Sequence, residues 1–189
     1  MNQLVRFEQL VEKTVKLNTE IQQYLYQYSS FDVWEYWVNL LMLLLPIVLL
    51  YFLLDRKRIF EIGFYGFAIH ALSIYVDIYG VKEGLWGYPF QISSRVASNF
   101  ALDSAMIPVI FMLIYQYTYH KFRVYFLTCI LGVFFFSFLL KPTLRFFDLF
   151  WMSDDMNYFK LVIAYGIVVV GATLVTFGFH KLSRVEENC

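Results

Sequence analysis

The feature that most constrains this chain is a series of long apolar segments. A helix needs about 20 mostly apolar residues to cross the hydrocarbon core of a bilayer. Five segments approach or reach that length, covering approximately residues 36–54, 59–79, 97–118, 124–140 and 161–179. The first, fourth and fifth contain no acid, base or histidine. The sequence therefore predicts an all-α integral membrane bundle of five transmembrane helices.

Composition agrees with a membrane location. Hydrophobic residues make up 60% of the 189 residues and charged residues only 16%, against about 25% in soluble domains. This excludes a disordered chain and most soluble folds, because the polar residues are too few to cover a soluble surface. The 15 basic and 15 acidic residues cancel, so net charge does not indicate a nucleic-acid partner. The lipid bilayer is the expected partner, with a second copy of the chain or another membrane protein as further candidates.

Residues 1–30 form a separate predicted element ahead of a transmembrane domain at residues 31–189. One helical stripe, largely apolar and spaced by three and four, comprises Leu4, Phe7, Val11, Thr14, Asn18, Ile21 and Leu25. We expect an amphipathic helix that lies on the membrane surface or on the protein's own outer face. The alternative is a self-association helix, although Thr14 and Asn18 would weaken the seam of a zipper.

The loops predict the orientation of the bundle. Short basic segments at Asp55–Arg58, His120–Arg123 and His180–Arg184 follow spans one, three and five. Because successive spans alternate in direction, all three segments fall on one face, which the positive-inside rule makes cytoplasmic. The N-terminus is then outside and the C-terminus in the cytoplasm. The two cysteines, Cys129 and Cys189, suggest no disulfide framework.

The second span carries residues that do not suit lipid. Glu61 follows Arg58 by three residues, and we expect these two to pair at the inner interface. Steps of three and four place five small or polar residues on one face of the helix, namely Gly63, Gly66, His70, Ser73 and Asp77. Ionisable groups in membranes face the protein interior. This face is therefore predicted to point into the bundle.

Two carboxylates are expected to meet near the outer surface. Asp77 lies near the outer end of span two, and Asp103 lies about two turns into span three from the same side. With His70, Trp86 and Tyr88 they make up the predicted binding site. The alternative is that each carboxylate is satisfied by a nearby basic side chain, tyrosine or helix N-terminus.

The loop after span two alternates Trp86, Tyr88 and Phe90. This pattern favours either an aromatic anchor at the membrane surface or a lid over the two carboxylates. The sequence contains no phosphate-binding glycine loop, paired-cysteine motif, HExxH or nucleophile elbow. No catalytic residue, metal site or cofactor is predicted.

Prolines interrupt two of the predicted spans. Pro46 lies in span one and Pro108 in span three. Each removes a backbone donor, so the carbonyl four residues earlier, on Met42 or Ser104, loses its helical partner. Kinks are expected in both helices.

Two runs resemble an uncharacterised family of small multi-pass membrane proteins of endospore-forming bacteria. The first run is Asp77-x-x-Gly80-Val81-x-x-Gly84-Leu85-Trp86-x-Tyr88, and the second is Pro108-Val109-Ile110-x-Met112-Leu113-Ile114-Tyr115-Gln116-Tyr117. The resemblance covers roughly residues 37–184 and implies a bacterial cell membrane location, with no settled activity. Members often have a Glu-Pro pair after the fourth span, where this chain has Lys141-Pro142. That difference allows a contact between Lys141 and one of the carboxylates on the outer side.

Three functions remain open from the sequence. The favoured one is a non-enzymatic envelope component, linked by the family resemblance to sporulation or germination; it predicts that the two carboxylates pair and that no cavity exceeds a few waters. A small proton-linked transporter predicts a polar path from Asp77 and Asp103 past His70 to the inner face. An intramembrane enzyme on a lipid or isoprenoid predicts a deep apolar groove beside the same carboxylates.

Overall fold

The computed structural model describes residues 2–92 and 99–186, with side chains described up to residue 182. The fold is mostly helical (81%), which confirms the all-α class. Its six helices are α1 (Gln3–Tyr28), α2 (Trp34–Leu53), α3 (Ile59–Lys82), α4 (Leu102–Thr118), α5 (Phe122–Phe146) and α6 (Tyr158–Glu186) within the described ranges. Two short strands, β1 (Trp86–Gly87) and β2 (Trp151–Met152), form an antiparallel pair.

Four helical segments are long and apolar enough to cross a membrane, namely Trp34–Leu53, Arg56–Lys82, Phe122–Phe146 and Tyr158–Leu182. They correspond to the predicted first, second, fourth and fifth spans. The helix α4 is also apolar but shorter than a full span. Residues 97 and 98, with which the predicted third span begins, lie outside the described residues.

The helix α3 is at the centre of the bundle and packs mainly against α4 and α6. Gly66, Ser73 and Asp77 of its polar face are buried and His70 is half-buried, so this face points into the bundle as expected. Met112 of α4 fills the space over Gly66. Gly63 is the exception, because no atom lies within 4 Å of the position that a Cβ would take there.

Two helices contain a π-helical turn immediately ahead of a proline. The first turn is Leu102–Met106 in α4, and the second is Phe135–Leu140 in α5. Pro108 and Pro142 each lie two residues after the last residue of these turns. Such turns shift the direction in which the following side chains point, and they occur frequently at functional sites.

The π-helical turn in α4 changes which backbone carbonyls lack a helical donor. The Ile107 N–H donates to the Leu102 carbonyl, five residues earlier. The next donor in this register would be the N–H of Pro108, which does not exist. The carbonyl of Asp103, which regular helix geometry did not single out, therefore has no helical donor.

The two strands connect two loops at the same end of the bundle. Trp86 pairs with Met152 and Gly87 with Trp151, and the Ser153 N–H donates to the Leu85 carbonyl at 3.0 Å. The loop between α3 and α4 is thereby fixed to the loop between α5 and α6. The sequence did not predict this pairing, because two-residue strands carry no periodic pattern.

The helix α1 has little contact with the rest of the described chain. Among its described residues only Leu25 is buried. At its C-terminal end, Ser29 Oγ donates to the Gln91 carbonyl at 2.7 Å and accepts from the Gln91 N–H at 3.0 Å. The remaining residues of the apolar stripe of α1 are consequently exposed.

Candidate functional site

Three donors from the protein bind the two oxygens of the Asp77 carboxylate. Its Oδ1 accepts from Trp86 Nε1 at 2.8 Å and from Tyr88 Oη at 2.6 Å. Its Oδ2 accepts from the Asn99 N–H at 3.2 Å. Hydrogen bonds to a charged acceptor are roughly twice as strong as neutral ones. Asp77 therefore ties the end of α3 to the loop that follows and to the start of the next helix.

Close packing at a glycine lets the loop fold back onto Asp77. A Cβ at Gly80 would lie 2.0 Å from the Trp86 ring, so only glycine permits the indole to pass over α3 here. Gly84 then turns the chain with a φ of +66°, a conformation that favours glycine. Trp86 and Tyr88 are both buried, so they cover Asp77 instead of anchoring at the surface.

A buried lysine joins the cluster from α5. Lys141 is only 2% exposed, and its Nζ donates to Tyr88 Oη at 2.9 Å. The ammonium group also lies 4.0 Å from the centre of the Phe150 ring, a cation–π contact. The contact between Lys141 and Asp77 is thus relayed through the phenol of Tyr88, and in the described part of the chain no carboxylate oxygen lies within 4.0 Å of Lys141.

Tyr88 holds its phenol proton firmly in this setting. It lies in the loop outside the helices and is buried between a carboxylate and an ammonium group. Burial raises the pKa of Tyr88 well above its ordinary value, and the nearby negative charge of Asp77 raises this pKa further. The phenol therefore donates to Asp77 and accepts from Lys141 throughout the neutral range.

Two asparagines extend the network to α2. Asn99 Nδ2 donates to Asn39 Oδ1 at 3.3 Å, and Asn99 Oδ1 accepts from the Leu102 N–H at 3.1 Å. Asn39 Nδ2 donates in turn to the carbonyls of Glu35 and Phe90, at 3.1 and 3.3 Å. The same cluster thus contacts α2, α3, α4, α5 and the loop between α3 and α4.

Asp103 lies beside Asp77 but has a different environment. It is 3% exposed, and its Oδ2 has no hydrogen-bond partner among the described residues. Asp103 and Asp77 line a cavity of about 30 Å³ together with Ser73, Lys141 and Tyr165. A space of this size has room for one or two water molecules.

His70 contacts the backbone of Asp103 and not its carboxyl group. His70 Nδ1 lies 2.9 Å from the Asp103 carbonyl oxygen. A carbonyl can only accept, so Nδ1 carries the proton. His70 therefore supplies the donor that Pro108 lacks. This hydrogen bond accounts for a histidine in the middle of α3.

The structure brings four of the five predicted binding residues into one cluster, namely Asp77, Asp103, Trp86 and Tyr88. His70 does not line the cavity. Sequence reasoning missed three members, Asn39, Asn99 and Tyr165. Asn39 did carry a signal, since it is a polar residue within an otherwise apolar helix, whereas nothing distinguished Tyr165 from the other tyrosines.

A second polar cluster lies at the opposite end of α3. Arg58 Nε contacts Glu61 Oε2 at 3.0 Å, as the sequence predicted. Tyr115 Oη donates to Glu61 Oε1 at 2.6 Å. The Gln116 side chain bridges the end of α2, donating to the Leu53 carbonyl at 2.9 Å and accepting from the Asp55 N–H at 2.8 Å. These contacts join helix ends.

No metal-binding group of three or more His, Cys, Asp or Glu side chains occurs within residues 2–92 and 99–186. The chain matches no protein-family model, no curated protein and no solved structure. The four long apolar helices are those of a membrane protein.

Proposed function

We propose that the protein spans the membrane five times, with α4 as the third crossing. The helix α4 is too short alone, but residues 97–101 precede it and are mostly apolar. Five crossings place the basic segments after α2, α4 and α6 on one side, which the positive-inside rule makes cytoplasmic. The cluster around Asp77 is then at the outer end of the bundle.

A cysteine-labelling experiment tests this topology. Cys129 and Cys189 are replaced by serine, and single cysteines are introduced at Lys121 or Asp154, which are both exposed. A membrane-impermeant maleimide added to intact cells should label Asp154→Cys, and should label Lys121→Cys only after permeabilisation. Labelling of both variants in intact cells would place Lys121 and Asp154 on the same side of the membrane. That result would contradict an odd number of crossings between these two positions.

The helix α1 is proposed as an interfacial helix on the outer surface. Its described side chains are almost all exposed, including a wide apolar face. Its three basic and three acidic residues balance, so attraction to anionic lipid is weak and the apolar face supplies the binding. Removal of residues 1–28 should leave the bundle in the membrane, and a truncated protein that fails to insert would contradict this assignment.

We further propose that the protein is a non-enzymatic component of a bacterial envelope, as the family resemblance implies, with a role in sporulation or germination. The supporting observation is that three protein donors bind both oxygens of the Asp77 carboxylate while the adjoining cavity measures only about 30 Å³. A carboxylate acting on a substrate needs room for the substrate beside it. The cluster joins five helices and is suited to holding the outer end of the bundle rigid.

The apolar groove that an intramembrane enzyme would need does not contain the carboxylates. A groove of about 380 Å³ runs between α3 and α6, and Trp86 forms part of its wall. Neither Asp77 nor Asp103 lines it, because the indole of Trp86 stands between the groove and Asp77. A lipid chain in this groove would therefore meet no acid or base of the cluster.

A proton-linked transporter is the second candidate, and one observation favours it. Asp103 Oδ2 and Ser73 Oγ are both buried without a partner, and both residues line the same cavity. Against it, the residues that line the cavity include none of α3 before Ser73, so the space does not continue past His70 towards the inner face.

Proton flux in liposomes separates these two functions. The purified protein is reconstituted with an internal pH-sensitive dye, and a pH step is applied with and without a membrane potential. If the role is the proposed non-enzymatic one, liposomes that contain the protein should leak protons at the same rate as protein-free liposomes. A faster flux that Asp103→Asn abolishes and Asp154→Asn retains would establish the transporter instead.

A further inference from the structure

Among the described residues, the charges of the buried side chains around Asp77 do not balance. Asp77 and Lys141 compensate each other through the phenol of Tyr88. Asp103 adds a second carboxyl group, and Lys141 is the one base that lines the cavity with the two acids. If all three groups were charged, one negative charge would remain in a buried site, where uncompensated charge is very costly. Among the groups that the structure describes, the cluster therefore lacks one positive charge.

Ionisable groups from four parts of the fold lie around Asp103. Asp77 approaches from α3, Tyr88 from the loop after α3, Lys141 from α5 and Tyr165 from α6. The imidazole of His70 is directed at the backbone carbonyl of Asp103. None of these donates a hydrogen bond to Asp103 Oδ2 in the described structure.

The atoms without partners converge on one space. Asp103 Oδ2 and Ser73 Oγ are unpartnered acceptors in residues that are 3% and 4% exposed. Both residues line the cavity of about 30 Å³, which has room for one or two waters. Buried polar atoms in native proteins almost always have partners. Two such atoms at one polar cavity indicate that the cavity holds a ligand.

We propose that this cavity is a binding site for one proton, which resides on the Asp103 carboxyl group and is hydrogen-bonded to Ser73 Oγ directly or through a cavity water. The proton supplies the missing positive charge and converts the unpartnered carboxyl oxygen into a donor. A metal cation fits less well, because hard cations take about six or more oxygen ligands and the cavity offers few free protein oxygens. The proposal depends on the bundle alone and does not rest on the non-enzymatic role.

Infrared spectroscopy tests for this proton directly. The full-length protein is reconstituted in lipid nanodiscs at neutral pH, and the carbonyl stretch of a protonated carboxylic acid is recorded in H₂O and in D₂O. The wild type should show this band, with a downshift in D₂O. Asp103→Asn should lose the band, while Asp154→Asn, the same change at an exposed site, should keep it. Absence of the band from the wild type, or its persistence in Asp103→Asn, would overturn the proposal.

A second variant keeps the test decisive if Asp103→Asn does not fold. Ser73→Ala removes the hydroxyl partner but leaves the acid, so the band should shift in frequency without losing intensity. Ser153→Ala, which removes another unpartnered buried hydroxyl outside the cavity lining, should leave the band unchanged. Equal spectra for both serine variants would contradict a proton held beside Ser73.

A cation exchange experiment distinguishes a proton from a metal ion. The thermal midpoint of the wild type is measured in sodium chloride and in choline chloride at the same ionic strength. Equal midpoints are expected for a proton site. A midpoint that rises with sodium, together with the absence of the acid band, would show that a metal ion supplies the missing charge and would overturn the proton assignment.

Discussion

Replacement of Asp77 by asparagine is the sharpest test of the outer cluster. The substitution keeps the shape of the side chain but exchanges one acceptor oxygen for an amide donor. If the amide oxygen takes the place of Oδ1, it retains Trp86 and Tyr88, and the new NH₂ group then faces the buried Asn99 N–H. If the amide is flipped, the NH₂ group faces two donors instead of one. Either orientation sets a donor against a donor.

The magnitude follows from the better of these two orientations. One charged hydrogen bond is lost, the Asn99 N–H is left buried without an acceptor, and the two remaining bonds lose the charge that strengthened them. Lys141 also loses the negative charge that it reaches through Tyr88, and removal of one partner of a buried charge pair is strongly destabilising. These effects overlap, and we expect a total loss of about 3 to 5 kcal/mol in the free energy of unfolding. Such a loss lowers the thermal midpoint by roughly 10 °C in a chain of this size.

The chain contains a natural reporter for this measurement. Cys129 is buried in α5, and in a Cys189→Ser background it is the last remaining thiol of the two in the sequence. A thiol-reactive fluorogenic dye therefore reports the temperature at which the bundle opens. Asp154→Asn makes the same chemical change at an exposed position and is the matched control. The shift expected for such a loss is well above 2 °C or so. An Asp77→Asn variant that melts within that range of the control would refute the account of Asp77 as a structural carboxylate held by three donors.

Three further substitutions test the surrounding geometry. Gly80→Ala should lower the midpoint by several degrees, because the added methyl group overlaps the Trp86 ring at 2.0 Å; Gly63→Ala, where nothing lies within 4 Å, should not, and similar midpoints for the two would contradict the close packing. In the Tyr88→Phe variant, the free energy of unfolding should fall less steeply with rising pH in the alkaline range than in the wild type. The pKa of Tyr88 is raised on folding, so its contribution is present below pH about 10 and falls by about 1.4 kcal/mol per pH unit above it; alkaline unfolding curves of wild type and variant with equal slopes would rule this out. His70→Phe should cost about 1 to 3 kcal/mol by leaving a backbone carbonyl without a donor, and His70→Asn, which retains a donor, should recover most of that loss in the same thermal assay.

The local character of the chain was predictable because it depends on composition and periodicity. The apolar segments identified four of the helices that are long enough to span a membrane, and the three-four spacing on α3 identified its buried face. Hydropathy alone did not locate the end of each helix. The helix α5 extends to Phe146, six residues beyond the predicted end of the fourth span, and so continues past Pro142.

The convergence of the polar groups was predictable only in part. Asp77 and Asp103 were expected together because antiparallel neighbours bring equivalent depths side by side. The different roles of these two residues depend on which donors surround each one, and those donors come from loops and from helices distant in the sequence. Trp86 reaches Asp77 because Gly80 leaves space for it, and Tyr88 reaches Lys141 because β1 and β2 join two loops.

The sequence by itself determined that this chain is helical and apolar enough for a membrane, since both properties are sums over neighbouring residues. Only the tertiary structure decided that the Asp103 carbonyl has no helical donor and that His70 satisfies it. That outcome depends on a π-helical turn, whose register is set by packing between helices and leaves no trace in local periodicity. For the same reason, the unbalanced charge beside Ser73 became visible only when α3, α4, α5 and α6 were placed around one cavity.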